Sequence, residues 1–226
     1  AAELASAAGA GLRALADRAL AAAAKMEEPP DTLAGRLVRM GREPDGPSLA
    51  EARAILIGLA VGFVPTNALA GGKMLAFLSR HKEAHDKALK AARSGDDAAL
   101  RRILLEAGRL DPALAPGQWR WCPSDTRVQR ADGSTFDING GSVVLVSTMA
   151  ALRDPRIWDR PGTFRLDRAE EPELLFGHLF HTCLGRELAM AQIAGTIAPL
   201  LQRREIERSL RRMRMRWKGP YPYRAL

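Results

Sequence analysis

The sequence feature that most constrains the fold is a run of 19 residues without a charge, from Ala54 to Gly72. Its length approaches the ~20 residues that a helix needs to cross a lipid bilayer. However, Pro65, Thr66 and Asn67 lie inside it, together with four glycines. These residues favour a long helix buried in a globular protein over a membrane span. We therefore expect no transmembrane helix and a chain organised around one long central helix.

The composition excludes several classes of protein. With 46% apolar and 27% charged residues among 226, the chain can bury a core, so general disorder is excluded. The net charge of +8 makes an acidic partner worth considering, but the arginines are dispersed and only 5% of residues are aromatic, which argues against nucleic-acid binding. Two cysteines, Cys122 and Cys183, cannot form a disulfide framework, and no signal peptide is recognisable. We expect a soluble, cytoplasmic protein.

The patterning along the chain predicts a mainly α fold with a small β portion. Helices are predicted over residues 1–26, 32–40, 48–89, 100–110 and 184–207, with Asp31 and Ser48 as N-caps. Between residues 120 and 146, short β-rich runs are broken by turn signals at 132–133 and 139–141. Residues 150–172 show little periodicity and predict an ordered but irregular segment. Residues 211–216 alternate like an edge strand with a basic outer face.

The strongest chemical signal lies between Phe176 and Ala189, where a glycine-containing loop leads into a helix with Cys183 at the junction. Free N–H groups and the helix dipole stabilise a thiolate at such a position. The residues alone leave three interpretations open. The cysteine could be an inert buried thiol, a zinc ligand together with His178 and His181, or the thiolate ligand of a haem iron. No second cluster supplies the remaining ligands of a zinc site.

This segment resembles the haem-binding loop of the cytochrome P450 family, whose Phe-Gly-x-Gly-x-His/Arg-x-Cys-x-Gly pattern is followed by an alanine. The matching residues are Phe176, Gly177, His181, Cys183, Gly185 and Ala189. Leu179 stands where the family usually has its second glycine, which predicts a less tight loop. The resemblance implies that Cys183 is the axial ligand of haem b (iron protoporphyrin IX) and that His181 contacts a haem propionate.

Two further segments resemble the same family and follow in the same order. Glu106-Ala-Gly-Arg109 is similar to the Glu-x-x-Arg helix motif, and residues 153–168 resemble the meander before the cysteine loop. The resemblance implies that Glu106, Arg109 and Arg168 form a buried ion triad that holds the scaffold of the loop. It also implies that Arg120 binds a haem propionate.

The resemblance spans nearly the whole chain but only about the last half of a family member. It implies that residues 1–226 are the C-terminal haem-binding half of a cytochrome P450 fold. The N-terminal half or a fused domain is then an expected partner, and the isolated chain should expose apolar surface. Outside the motifs, we expect Trp119 and Trp121 to pack at the haem edge or in the core. We expect His81 and His85 on a solvated surface.

The central helix departs from the family pattern at the residues that handle oxygen. Oxygen-activating members carry an acid and an alcohol there, which deliver protons to bound dioxygen. Val64 and Pro65 occupy those positions in this chain, and neither side chain can relay a proton. Pro65 should kink the helix and leave the Val61 carbonyl unpaired. Thr66 and Asn67 are the polar side chains placed to substitute, so Val64, Pro65, Thr66 and Asn67 are the candidate catalytic positions.

These replacements favour a peroxide-dependent or hydroperoxide-rearranging oxidoreductase of lipid metabolism that acts on a lipophilic small molecule. Family members with proline at this site include fatty-acid peroxygenases and a prostanoid isomerase, which use peroxides instead of dioxygen and electrons. The second hypothesis is a standard dioxygen-dependent monooxygenase, which would need a ferredoxin, flavodoxin or reductase. Basic residues that could dock such a partner are Arg101, Arg102, Arg186, Arg203 and Arg204, although a solvated helix face is their simpler interpretation. The third hypothesis is a non-catalytic haem-binding or structural fragment.

Overall fold

The structure, a computed structural model, describes residues 2–130, 132–168 and 172–203. Its helices are α1 (Ala2–Ala24), α2 (Leu33–Met40), α3 (Leu49–Arg80), α4 (Lys82–Ser94), α5 (Asp97–Leu110), the single turn α6 (Thr148–Ala151) and α7 (Arg186–Gln202). Its strands are β1 (Gln118–Cys122), β2 (Thr126–Gln129), β3 (Thr135–Ile138) and β4 (Ser142–Val146). The predicted class, mainly α with a small β portion, is confirmed. The predicted edge strand at 211–216 lies outside the described residues.

The chain divides into two compact units between Thr66 and Asn67. The first unit contains α1, α2 and the N-terminal part of α3, which meet around a small apolar cluster of Leu20, Leu37 and Ala52. An ion pair of 2.5 Å between Arg53 Nε and Asp17 Oδ1 links α3 to α1.

The N-cap of α2 differs from the prediction. Thr32 Oγ1 accepts a hydrogen bond from the Gly35 amide at 3.2 Å, so Thr32 is the N-cap. Asp31 instead accepts from Arg36 Nε at 2.6 Å. The carboxylate is one residue too early to cap the helix and pairs with a cation of the first turn instead.

The second unit has the larger core, which the C-terminal third of α3 forms with α4, α5 and α7. Its most deeply buried side chains include Leu78, Leu100, Ile103, Leu104 and Leu201, each at most 2% exposed. Phe164 and Leu166 of the meander pack against this cluster. The core therefore links the Glu-x-x-Arg helix α5 to α7, the helix that follows the cysteine loop.

The helix predicted over 48–89 is two helices that meet at His81. His81 has an extended backbone, with φ −120° and ψ 97°, and its ring stacks on Phe77 at 3.8 Å between centroids. His81 Nδ1 also lies 2.9 Å from the Phe77 carbonyl oxygen. His85 was expected on a solvated surface, but it is only 3% exposed. That expectation was wrong because the chain turns at His81 and rotates His85 into the core.

Helix α3 is long and apolar enough to span a membrane, and none of its most apolar window is buried. The exposed side chains of its N-terminal part include Ile55, Leu59, Val61 and Val64. Its burial is confined to Ala52 and to residues 74 and 76–78. The expectation of a buried central helix was therefore wrong for most of its length. The expectation that this chain exposes apolar surface is confirmed.

The four strands form two nested antiparallel pairs. Strands β2 and β3 make the inner pair, and the predicted turn with Gly133 at φ 84° joins them. Strands β1 and β4 make the outer pair, so residues 139–141 do not close a hairpin between neighbouring strands. Instead, the Gly141 amide donates to the Cys122 carbonyl at 2.8 Å. The turn signal at 139–141 therefore returns the chain to β1.

Trp119 and Trp121 share one face of the β1–β4 pair, where their register partners are Leu145 and Val143. Both tryptophans are exposed, at 63% and 64%, as is Val143. The alternative that they pack in the core is wrong, because in the part of the chain that the structure describes β1 and β4 pair only with each other and both tryptophan side chains stay exposed. Arg120 points to the opposite face, as the alternation of a strand requires.

Candidate functional site

The loop before α7 is closed by contacts that bring its two ends together. The Cys183 amide donates to the Phe176 carbonyl at 2.6 Å. Gly177 has φ 79°, and a Cβ there would lie 1.9 Å from the His181 carbonyl oxygen. Only glycine fits this close approach. Gly185 is the N-cap residue of α7, so Cys183 lies two residues before the helix cap.

Leu179 adopts a backbone conformation that glycine normally occupies. Its φ is 52°, in the left-handed region, and it opens the single 3-10 turn Leu179–His181. Leucine in this region is strained because its Cβ approaches the carbonyl oxygen. The loop therefore keeps the turn that a second glycine would allow, and the leucine side chain, 73% exposed, recovers little of the cost by packing.

The thiol of Cys183 is exposed and lies in an apolar surface. Phe180 and Leu184 on either side are fully exposed, and Leu188 in the first turns of α7 is 56% exposed. The interpretation as an inert buried cysteine is wrong. Among the described residues, no group of three or more His, Cys, Asp or Glu side chains could hold a metal ion together. Ala189, by contrast, is buried and packs at the start of the helix.

The two residues predicted to bind haem propionates, His181 and Arg120, are both exposed. Among the described residues, no hydrogen bond connects one of these side chains to the other. His181 is exposed at the end of its 3-10 turn. Arg120 donates to the Trp119 carbonyl at 3.0 Å and to the Gln118 side chain. Both side chains can therefore turn toward an anionic group without breaking a contact in the core.

Glu106, Arg109 and Arg168 come together in the buried interior. Arg109 Nε and Nη2 donate to the two carboxylate oxygens of Glu106 at 2.7 and 2.8 Å, and Arg168 Nε donates to Glu106 Oε1 at 3.0 Å. Glu106 and Arg109 are 5% and 0% exposed. A buried carboxylate with two guanidinium partners and a bidentate geometry satisfies the requirement that buried charges be paired.

Arg109 also ties α5 to the meander through backbone carbonyls. Its Nη1 donates to the carbonyls of Leu152 and Pro161, both at 2.8 Å, and its Nη2 donates to that of Thr163 at 3.4 Å. The buried Trp158 ring lies 5.0 Å from its guanidinium carbon. One arginine therefore holds the C-cap of α6 and two points of the irregular segment that follows it.

The sequence reasoning missed two contributors to this cluster. The Arg165 amide donates to Glu106 Oε1 at 3.1 Å, and Trp158 Nε1 donates to the Ala151 carbonyl at 3.2 Å. A backbone donor leaves no signal in a sequence, since every residue except proline can supply it. The Arg165 side chain holds Asp167 by hydrogen bonding, which lowers the pKa of that carboxyl to about 2. The carboxylate is therefore ionised at neutral pH.

The candidate catalytic residues of α3 differ in their exposure and in their hydrogen-bond partners. Val64 is 65% exposed, and the helix continues through Pro65 without interruption. The Thr66 hydroxyl donates to the Gly62 carbonyl and, at 3.2 Å, to that of Phe63. It thus bonds the backbone one turn earlier, the usual partner of a threonine within a helix.

Asn67 is held by a different partner. Its Nδ2 donates to Gln192 Oε1 of α7 at 3.0 Å. Gln192 is another residue that the sequence reasoning missed, because 125 positions separate the two amides and neither has a local pattern. This hydrogen bond uses the amide nitrogen of Asn67, and its Oδ1 can still accept a hydrogen bond.

Solved structures with this fold include a cytochrome P450 hydroxylase. The cytochrome P450 hydroxylase LnmA of the leinamycin pathway of Streptomyces atroolivaceus is 28% identical, with a TM-score of 0.68 over 89% of this chain and 49% of its own. CalO2 is 26% identical, with a TM-score of 0.70 over 87% and 46%. The fold therefore defines this chain as similar to cytochrome P450 proteins.

The sequence comparison identifies the family. The family described as Cytochrome P450 matches residues 25–219, and this chain belongs to it. The mycinamicin IV hydroxylase/epoxidase of Micromonospora griseorubida is 28% identical over 187 residues, which are 79% of this chain and 43% of that protein. Cytochrome P450 105C1 of a Streptomyces species is 38% identical over 81 residues, 36% and 21% of the two chains. The chain spans less than half the length of these relatives.

The family implies a haem iron cofactor, and the chemistry of the loop fits one. An exposed thiol before a helix N-terminus is a good ligand for iron, because the helix dipole stabilises the thiolate. The exposed Phe180 and Leu184 beside it offer apolar contact to a large flat ring. His181 and Arg120 supply cationic or hydrogen-bonding groups for carboxylate substituents.

Proposed function

We propose that this chain is the haem-binding C-terminal part of a cytochrome P450 that oxidises or rearranges a lipophilic small molecule with a peroxide as oxidant. The observation that carries the proposal is the exposed Cys183 thiol in a loop that Gly177 closes. The family's acid and alcohol are replaced by Val64 and Pro65 in α3. The exposed thiol supports haem as the cofactor. The replacement of the acid and the alcohol supports a peroxide as the oxidant.

In this proposal each residue of the loop has a definite task. Cys183 binds the iron as a thiolate, which the positive end of α7 stabilises. Phe180 and Leu184 contact the porphyrin, while Arg120 and His181 bind its propionates. When bound, haem supplies oxygen-transfer chemistry at its iron. The triad of Glu106, Arg109 and Arg168 acts at a distance by holding the meander in place.

The α3 residues support a peroxide as the oxidant because they supply no titratable proton donor. The side chains of Val64 and Pro65 have no exchangeable proton, and the Thr66 hydroxyl already donates to the backbone. A hydroperoxide brings an oxygen atom at the required oxidation level. It delivers that atom to the substrate and leaves as the alcohol, so no external electrons are consumed.

A dioxygen-dependent monooxygenase is the second candidate, and the relative named as a hydroxylase/epoxidase favours it. This function needs electrons from a ferredoxin, flavodoxin or reductase. Part of the basic surface that could dock one is already engaged. Arg101 pairs with Glu187 at 2.9 Å, and Arg102 donates to the Leu166 carbonyl. Arg204 lies outside the described residues.

The exposed apolar part of α3 supports a further element of the proposal. We assign it to a surface that the N-terminal half of a cytochrome P450 domain covers, whether that half belongs to the same polypeptide or to another chain. Pro65 and the amide of Asn67 favour this over a bilayer. The protein is then water-soluble.

The experiment that tests the proposal is a carbon monoxide difference spectrum of the haem-reconstituted protein. We expect a Soret band at the position typical of thiolate ligation, and its loss in Cys183→Ser. The matched control is Cys122→Ser, because Cys122 lies at the end of β1 and bonds to residues of its own turn. Absence of haem uptake would overturn the proposal in favour of a structural fragment, and an unchanged band in Cys183→Ser would show that Cys183 is not the iron ligand.

The same preparation separates the two oxidants. We expect substrate turnover with a lipid hydroperoxide and none with dioxygen plus an electron donor. The double variant Val64→Glu/Pro65→Thr restores the acid and alcohol, and it should shift activity toward dioxygen. Turnover of the unaltered protein with dioxygen plus an electron donor, and none with the hydroperoxide, would show that the second candidate is correct.

A further inference from the structure

A cavity of about 300 Å³ lies where α3 ends, where α5 meets its C-cap and where the meander passes. Three aromatic rings line it, from Phe77, His81 and Phe164, together with the charged side chains of Arg80, Asp111 and Arg153. None of its lining residues belongs to the cysteine loop or to the buried triad. All of them come from the second compact unit.

Cations outnumber carboxylates around this cavity. Asp111 accepts from Arg80 Nη2 at 2.9 Å with one oxygen and from Lys73 Nζ at 3.0 Å with the other. Arg153 donates to the Leu110 carbonyl, and among the described residues no carboxylate is paired with it. Among the lining residues, one carboxylate, Asp111, thus stands beside two arginines, Arg80 and Arg153, which leaves an excess of one positive charge that an anion would balance.

The walls favour a flat partner. The Phe77 and His81 rings are stacked at 3.8 Å with an interplanar angle of 12°, and the Phe77 and Phe164 centroids are 6.0 Å apart. Aromatic rings in such an arrangement prefer stacked or edge-to-face contact with another ring. The volume is at the lower end of the range for small-molecule sites.

We propose that this cavity binds a small aromatic carboxylate, with the carboxylate on Arg153 and Arg80 and the ring against Phe77, His81 and Phe164. Gly162 also lines the cavity, and its neighbours Pro161 and Thr163 accept hydrogen bonds from Arg109. A bound ligand would therefore stabilise the segment that Arg109 holds. The site does not depend on haem chemistry.

The test is a calorimetric titration of the haem-free full chain with benzoate. We expect a dissociation constant of about 1 mM or tighter and a rise in melting temperature with benzoate concentration. Arg153→Gln should weaken binding at least about tenfold, a loss of about 1.4 kcal/mol. The matched control is Arg156→Gln, three residues on, because that arginine pairs with Asp154 and does not line the cavity.

Two comparisons test the separate parts of the claim. Acetate should bind at least about tenfold more weakly than benzoate if the rings contribute as proposed. Inorganic phosphate should also bind more weakly than benzoate. The proposal is overturned if benzoate does not bind, if folded Arg153→Gln binds as the unaltered chain does, or if acetate or phosphate equals benzoate. Because the chain is haem-free, these outcomes are independent of the haem proposal.

Discussion

At the scale of single residues, Leu179 shows how the cysteine loop retains its shape despite a substitution in its motif. The loop closes through Gly177 and the bond from Cys183 to Phe176, and these contacts hold Leu179 at a positive φ. The strain is local because the leucine side chain is mostly exposed and has little packing to lose.

Replacing this leucine should stabilise the protein. We expect Leu179→Gly to raise the free energy of unfolding by about 0.5–1 kcal/mol, because relief of the left-handed strain exceeds the entropy that glycine loses on folding. Urea unfolding measures the change. Leu179→Ala is the control, since it removes the side chain but keeps the Cβ that causes the strain. Equal stabilisation by both variants would show that the exposed side chain is responsible.

At the scale of elements, side chains hold the meander to α5, because residues 153–168 form no helix or strand whose backbone hydrogen bonds could do so. Arg109 bonds Glu106 and three carbonyls, and Arg168 approaches the same carboxylate from the meander. The Glu-x-x-Arg spacing places the first two on one helix face. The three carbonyls that Arg109 binds lie 43 to 54 residues further along the chain.

Removal of Arg109 should therefore have a large effect. We expect Arg109→Ala to destabilise the chain by about 3–5 kcal/mol, since it breaks a buried ion pair and deprives three carbonyls of a donor. Haem retention should fall with it. Thermal unfolding and haem content after gel filtration measure both effects. Arg109→Lys keeps the charge without the planar fork and should be intermediate.

The control for this prediction lies on the same helix. Arg101→Ala removes a partly exposed arginine whose partner Glu187 is 76% exposed, and surface pairs of this kind contribute about 0–1 kcal/mol. Haem content in Arg109→Ala equal to that in Arg101→Ala would show that the triad does not support the haem site.

At the scale of the whole molecule, the described residues bury one substantial core and leave a large apolar surface uncovered. The core lies between α4, α5, α7 and the C-terminal end of α3. The uncovered surface includes Ile55 and Leu59 of α3, and separately Phe180 and Leu184 of the cysteine loop. Exposed apolar patches on this scale mark surfaces that bind a partner or aggregate.

The isolated chain should therefore self-associate. We expect its sedimentation coefficient to rise with concentration and Ile55→Gln/Leu59→Gln to reduce this rise, because the two side chains lie one helical turn apart on one face. Leu15→Gln is the control, since this side chain of α1 is 57% exposed on a different element. Unchanged association of the double variant would place the driving surface elsewhere.

Several interpretations from the sequence failed for one physical reason. The break at His81 depends on a ring that stacks on Phe77, and the burial of His85 follows from that turn. The pairing of β1 with β4 around an inner hairpin depends on strands 20 or more residues apart. Each depends on contacts that local periodicity does not encode.

The sequence by itself determined the features that short-range geometry controls: the family, the mainly helical class, the glycine that closes the cysteine loop and the spacing of Glu106 and Arg109. These are decided within one or two turns of the backbone. Only the tertiary structure decided that the Arg165 amide joins the carboxylate of Glu106, that Gln192 holds Asn67, and that α3 is mostly uncovered. Such outcomes depend on which distant surfaces meet, since packing joins residues that no local pattern relates.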